Sequence, residues 1–226
     1  GGYSVGCIFS FTSTLSENWK KQISNGAQNI LFYSVARDSS DNYYAVGANA
    51  TTSPGLGLLI KYNSSGTVQW QRSLAPASGA ITFTFISVSS SGDIYVLGYT
   101  SAARQPIVLV KYNSSGTLQW QRLFTPGGVL NPNGFGELVI DDSTKSIYFP
   151  VCYSGSNLGN GTIRLIIKYP MDGSKLGAYA VGSTTMTISA SSHTSATISY
   201  TEATASMTYR TTTTTNGVGS TLSYSN

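Results

Sequence analysis

At 226 residues the chain is long enough to bury a sizeable core, either in one domain or in a row of small modules. Hydrophobic residues at 40% exclude wholesale disorder, while charged residues at only 10% leave the polar surface to Ser, Thr, Asn, Gln and Tyr. The formal charge of +4 is spread over thirteen Lys and Arg that sit singly or as the one pair Lys20 and Lys21. No basic stripe follows from this and no nucleic-acid partner is expected, and no stretch approaches the roughly 20 apolar residues of a membrane span.

Residues 1–23 read as the back half of a sheet module, because Ile8-Phe9-Ser10-Phe11 precedes Trp19 as Leu59-Ile60-Lys61-Tyr62 precedes Trp70. The opening GGYSVGCIFSF lacks the pattern of a secretory signal, so either a signal was removed or the chain begins partway through something longer. Residues 24–182 are repeats, in units of about 24–74, 75–124 and 125–182. The block KYNSSGTVQWQR, Lys61 to Arg72, returns as KYNSSGTLQWQR, Lys111 to Arg122, with Val68 replaced by Leu118 as the only change. Trp19, Trp70 and Trp120 form one column, and Tyr44, Tyr95 and Tyr148 a second at the same period.

Within a repeat, alternation and turn signals predict four strands. The first unit gives Phe32 to Arg37, Tyr43 to Ala48, Leu58 to Tyr62 and Thr67 to Leu74; the second gives Thr82 to Val88, Ile94 to Tyr99, Ile107 to Tyr112 and Thr117 to Phe124. Gly66 and Gly116 close the Asn-Ser-Ser-Gly turns between the last two strands. Four short antiparallel-compatible strands in about 50 residues make the blade of a β-propeller.

The third unit begins near Phe135, with strands near Glu137 to Ile140, Ile147 to Tyr153 and Thr162 to Tyr169. Pro150 removes a ladder donor in the second of these and predicts an edge position or a bulge. In the Trp column stands Gly177. Three and a half blades fall short of the roughly four to eight that close a ring, so the chain is a fragment or its C-terminal region completes the ring.

Residues 183–226 form a β extension in which 24 of 44 residues are Ser or Thr, including the run Thr211 to Thr215. High β-propensity with little apolar bulk predicts strands that must pair with something else, such as sister chains or a neighbouring blade; a flexible Ser/Thr-rich stalk is the alternative.

Candidate chemistry is sparse. The only histidine, His193, lies in the extension, so no Ser/His/Asp triad is expected. Asp38, Asp41, Asp93, Asp141, Asp142 and Asp172 all fall at predicted turns. Ser89 occupies the repeat position of Asp38 and Asp142, which weakens a recurring carboxylate site for glycosidase or calcium chemistry. Cys7 and Cys152 show no metal-ligand spacing and are expected to be separate buried thiols, a long-range disulfide being the alternative. The tryptophans serve inter-sheet packing or carbohydrate stacking. Arg37, Arg72, Arg104, Arg122 and Arg164 are solvated strand ends or contacts for an acidic glycan. Sequons stand at Asn49, Asn63, Asn113 and Asn160, two of them in the repeated turn.

The order DSSDNYYAVGA (Asp38 to Ala48), LLIKYNSSGTVQWQR (Leu58 to Arg72), SSSGDIYVLGYT (Ser89 to Thr100) and VLVKYNSSGTLQWQR (Val108 to Arg122) resembles the bacterial β-propeller repeat family, over about residues 8 to 181. Val151, where Gly47 and Gly98 stand, and the turn Pro170-Met171-Asp172-Gly173 depart from its pattern, as a terminal blade would. The resemblance implies secreted and cell-surface bacterial proteins and, with the Ser/Thr-rich extension, virion appendage proteins of marine phages. It carries no shared catalytic residues. The expectation is an all-β, non-enzymatic protein without metal or cofactor, in a phage tail fibre or similar appendage. Its expected partners are other virion proteins, copies of itself and a host-surface glycan or protein. A secreted bacterial surface propeller is the alternative.

Overall fold

The computed structural model describes residues 4–26, 28–77, 79–103, 105–127, 129–130, 136–154, 162–181 and 184–205. The chain is all-β, and its strands form four antiparallel sheets. The first sheet contains β1 (Gly6–Phe11) and β2 (Glu17–Ser24). The second is a meander of β3 (Ile30–Arg37), β4 (Tyr43–Asn49), β5 (Leu56–Tyr62) and β6 (Val68–Ala75). The third repeats it with β7 (Ile81–Val88), β8 (Ile94–Thr100), β9 (Ile107–Tyr112) and β10 (Leu118–Pro126). In the fourth, β11 (Val129–Leu130) and β12 (Val139–Asp141) share one edge of β13 (Ser146–Ser154), whose other edge pairs with β14 (Thr162–Pro170). The strands predicted for the two full repeats are present; β9 coincides with its predicted range and the other seven differ by one or two residues at one end or both.

The sheets stack face to face in chain order, and successive side chains of one strand serve different neighbours. On the second sheet, Ala45, Leu58, Ile60 and Tyr62 pack with Ile23 toward the first sheet, while Tyr44, Val46 and Leu59 pack with Ile81, Phe83, Ile94 and Val108 of the third. On the third, Tyr95, Leu97, Ile107 and Leu109 turn to Ile147, Phe149 and Tyr169 of the fourth. Burial on both faces is why Leu-Gly-Leu-Leu-Ile and Ile-Val-Leu-Val read as continuous apolar runs instead of alternating with polar residues.

Repeated bulges shape the sheets. Tyr33 and Thr84 are the extra residues where β3 meets β4 and β7 meets β8, facing Gly47 and Gly98. A Cβ on Gly47 would lie 1.7 Å from the Leu31 carbonyl oxygen, and one on Gly98 2.1 Å from that of Thr82. In the fourth sheet Val151 stands at that position, and neither β11 nor β12 pairs with it. The reason for glycine has gone, and Val151 is buried. The same interruption accommodates Pro150. The expected edge strand or bulge is corrected: β13 is interior and runs opposite β14 without a register shift, while on its other side neither β11 nor β12 pairs with Pro150 among the described residues.

The Ser/Thr-rich extension walks backward over the stack. After β15 (Gly177–Val181), β16 (Thr184–Ala190) pairs with β10 of the third sheet, β17 (Thr194–Thr197) with β6 of the second, and β18 (Thr201–Thr204) with β2 of the first. Through Ala205 the partner is a neighbouring sheet of the same chain, the second of the two expected, because the first three sheets each end in an open ladder that a seven-residue step along the extension reaches. The run Thr211 to Thr215 lies outside the described residues.

The second glutamine of each Gln-Trp-Gln-Arg motif fastens this strap. Gln71 donates to the Tyr200 carbonyl at 3.0 Å and accepts from the Tyr200 N–H at 3.0 Å, and Gln121 donates to the His193 carbonyl at 2.8 Å. Tyr200 is buried, and its hydroxyl accepts from Asn49 at 2.9 Å. Replacing Gln71 by Leu strands both Tyr200 backbone groups away from water. It is expected to cost about 2 kcal/mol and to speed hydrogen exchange in residues 194–204 more than in β4 or β8.

Candidate functional site

Adjacent sheets are joined by a device built from the repeat columns. An extra residue, Asn18, Gln69 or Gln119, bulges the strand just before each tryptophan. Trp19, Trp70 and Trp120 then lie against the turn glycine of the following sheet: a Cβ on Gly66 would come within 2.6 Å of Trp19, on Gly116 within 3.0 Å of Trp70, and on Gly173 within 2.7 Å of Trp120. These glycines also have φ of 75°, 75° and 69°, so backbone conformation and close approach both demand them. Trp19 is buried, and Trp70 and Trp120 are half-buried between sheets.

Two residues after Trp70 and after Trp120 an arginine completes the joint, whereas Lys21 in the matching place after Trp19 pairs with Glu202 of the extension. Arg72 stacks on Trp70 and donates through Nε to the Gly116 carbonyl at 2.8 Å and through Nη2 to that of Ser115 at 3.2 Å. Arg122 stacks on Trp120 and donates to the Gly173 carbonyl at 2.8 Å. Arg72 and Arg122, expected as strand ends or glycan contacts, instead hold the turn of the next sheet, and their fixed Trp-x-Arg spacing is the signal for it. Tyr44 and Tyr95 are buried beside Trp70 and Trp120, and Tyr148 is half-buried under Lys168.

The joint between the third and fourth sheets opens into a cleft of about 580 Å³ at the end of the stack where the tight turns gather. Ser91, Asp93, Tyr95 and Lys111 form one wall; Thr144, Lys145, Met171 and Asp172 form the other. In the preceding joint Lys61 reaches across to the Ser114 carbonyl at 3.4 Å, whereas here Lys111 turns back to Asp93 at 2.8 Å and lies over the Tyr95 ring. Tyr95 spans the floor by donating to the Met171 carbonyl at 3.3 Å.

Burial works against the charge on Lys111, but hydrogen bonds to Asp93 and Tyr95 outweigh it and raise its pKa. The Ser174 N–H and hydroxyl hold Asp172 below its ordinary value. At neutral pH the cleft therefore presents an ammonium, carboxylates and hydroxyls side by side. Such a lining can exchange hydrogen bonds with a polyhydroxylated ligand. It assembles from turns about 50 residues apart, so no local motif announced it.

The remaining candidates scatter. His193 is half-buried on the extension with its pKa lowered by burial. Asp38 accepts from Ser40, Asn42 and Tyr44 within its own turn, Asp41 pairs with Arg37, and Asp141 accepts from Ser143 and Thr144. Asp142 reaches across to the Ser90 N–H at 2.8 Å. Arg164 is exposed on β14, and Arg104 and Asn160 lie outside the described residues. Asn63 and Asn113 accept backbone N–H bonds within their turns, and Asn49 is fully buried. Cys7 and Cys152 are free thiols on the first and fourth sheets. Among the described residues no group of three or more His, Cys, Asp or Glu is placed to hold a metal ion.

No protein-family model matches this chain, and no curated protein matches it either.

Proposed function

We propose that this chain is a non-enzymatic attachment module, built from β-propeller-type blades, that presents its turn end to a host-surface glycan as part of a phage tail fibre or similar appendage. The observation that carries the reading is the cleft between the third and fourth sheets, where Asp93, Lys111 and Asp172 offer donors and acceptors from a scaffold locked by Trp-x-Arg joints. A rigid frame lowers the ordering cost of binding, which suits recognition of a flexible saccharide. The uncharged Ser, Thr and Asn surface and the Ser/Thr-rich strap support an extracellular setting. The resemblance of the repeat to bacterial propellers favours a second reading, a secreted bacterial surface protein using the same cleft.

A glycan array probed with the labelled chain, alongside Asp93→Asn and Asp172→Asn, tests the ligand class. Asn retains the turn bond to Ser174, so the fold survives in the second variant. Binding of a defined saccharide is expected, weakened about tenfold or more in each variant because hydrogen bonds to charged groups are worth roughly 1.5–3 kcal/mol. Variants that bind as the parent does would remove the cleft as the site, and a parent that binds no saccharide would remove the glycan reading. Antibody labelling of purified phage particles, against the bacterial surface fraction, separates the two settings.

A further inference from the structure

The two ends of the stack carry the two halves of an interior joint. On the fourth sheet, Ile166 occupies the repeat position of Leu59 and Leu109, which are fully buried beneath the following sheet, yet Ile166 is 74% exposed. Val139, on β12 of the same sheet, is 53% exposed. This sheet has no strand beyond β14 among the described residues, and so no counterpart of Trp70 or Trp120. The residue in that column, Gly177, lies on β15, in the third sheet.

The first sheet offers the reciprocal surface. Its turn Thr12 to Ser16 has the bonding of the Asn-x-x-Gly turns: Thr12 N–H to the Ser16 carbonyl, Leu15 N–H to the Thr12 carbonyl, and the Ser16 N–H to the Thr12 hydroxyl. Leu15 sits where Gly66, Gly116 and Gly173 sit, at φ 61°, and is 84% exposed. Leucine is disfavoured in that left-handed conformation, and its side chain fills the space that a preceding tryptophan takes in the interior joints. Inside the stack a large residue meets none; at the ends a missing tryptophan matches an added leucine.

We infer that the outward face of the fourth sheet receives the first sheet of a second copy of this chain, head to tail, with Leu15 lodged where interior joints place tryptophan. The contact is heterologous, joining two different surfaces, and so generates a closed ring or a filament. It continues the sheet-on-sheet packing already present three times in the chain.

Sedimentation velocity on the full chain tests this with two surface variants, Ile166→Lys and Leu15→Asp, the latter a residue that tolerates left-handed φ. The parent is expected to self-associate, and each variant alone to raise the dissociation constant about tenfold or more with an unchanged melting temperature. Mixed, the variants retain one good face each and should form a one-to-one dimer that grows no further. A parent that stays monomeric at every concentration overturns the inference. So does a Leu15→Asp protein that associates like the parent, or a mixture that stays monomeric.

Discussion

Replacing Gly47 by alanine is expected to destabilise the protein by at least about 3 kcal/mol, the upper part of the range for overpacking, and to do so without touching any ligand surface. The new Cβ would stand 1.7 Å from the Leu31 carbonyl oxygen and 3.0 Å from the Phe32 Cα, and both are backbone atoms that no rotamer change can move. The bulge at Tyr33 must then be rebuilt, which disturbs the ladder between β3 and β4. Urea denaturation reads the loss as a shift of midpoint. The opposite exchange in the fourth sheet sharpens the argument: Val151→Gly should also destabilise, by about 2 kcal/mol, because there the side chain fills core space and no bulge requires its absence. If Gly47→Ala were as stable as the parent, the bulge would not be the reason for glycine.

The second large effect is expected at Trp70. Truncation to alanine removes the ring that covers Gly116, the platform under Arg72 and the contact with Tyr44 at 6.0 Å between ring centroids. About 3 kcal/mol should be lost, the lower end for a large aromatic truncation because the ring is only half-buried. Arg72→Lys should lose part of this even with Trp70 intact, since an ammonium lacks the fork that spans the Gly116 and Ser115 carbonyls. A calorimetric scan of the single and double variants gives the coupling between the two side chains. A Trp70→Ala protein that melts like the parent but loses saccharide binding would return these rings to a carbohydrate platform.

Much of the fold was legible because the repeat states it twice. Two columns at one period placed the strands, and Gly177 in the Trp column marked where the regular order stops. Features that depend on residues distant in sequence leave less trace in it. Pro150 looks like an edge or bulge residue, since sequence cannot show that among the described residues neither β11 nor β12 forms a ladder with it. Arg72 and Arg122 looked like surface charges, since their acceptors lie in a turn of the next repeat. The destination of the extension was hidden for the same reason: strands of Thr, Ser and Ala carry β-propensity but no register, and three open edges in the chain were equivalent candidates. The cleft was invisible because its walls belong to turns of two different repeats.

The backward course of the extension has a consequence for how the molecule folds. A stack of repeats held only by neighbouring joints gains stability step by step, and can nucleate and fray one module at a time. Here Thr201–Thr204 must return to strand β2, near the other end of the chain, so the first sheet waits for the last part of the described chain before its outer edge is paired. Contacts of such sequence separation slow folding, because the chain loses loop entropy before the pairing rewards it. Once formed, the strap ties three sheets into a single unfolding unit: opening any one of them pulls on the segment whose next strand is paired to the neighbouring sheet. The repeats, similar enough to melt independently, are thereby made to stand or fall together.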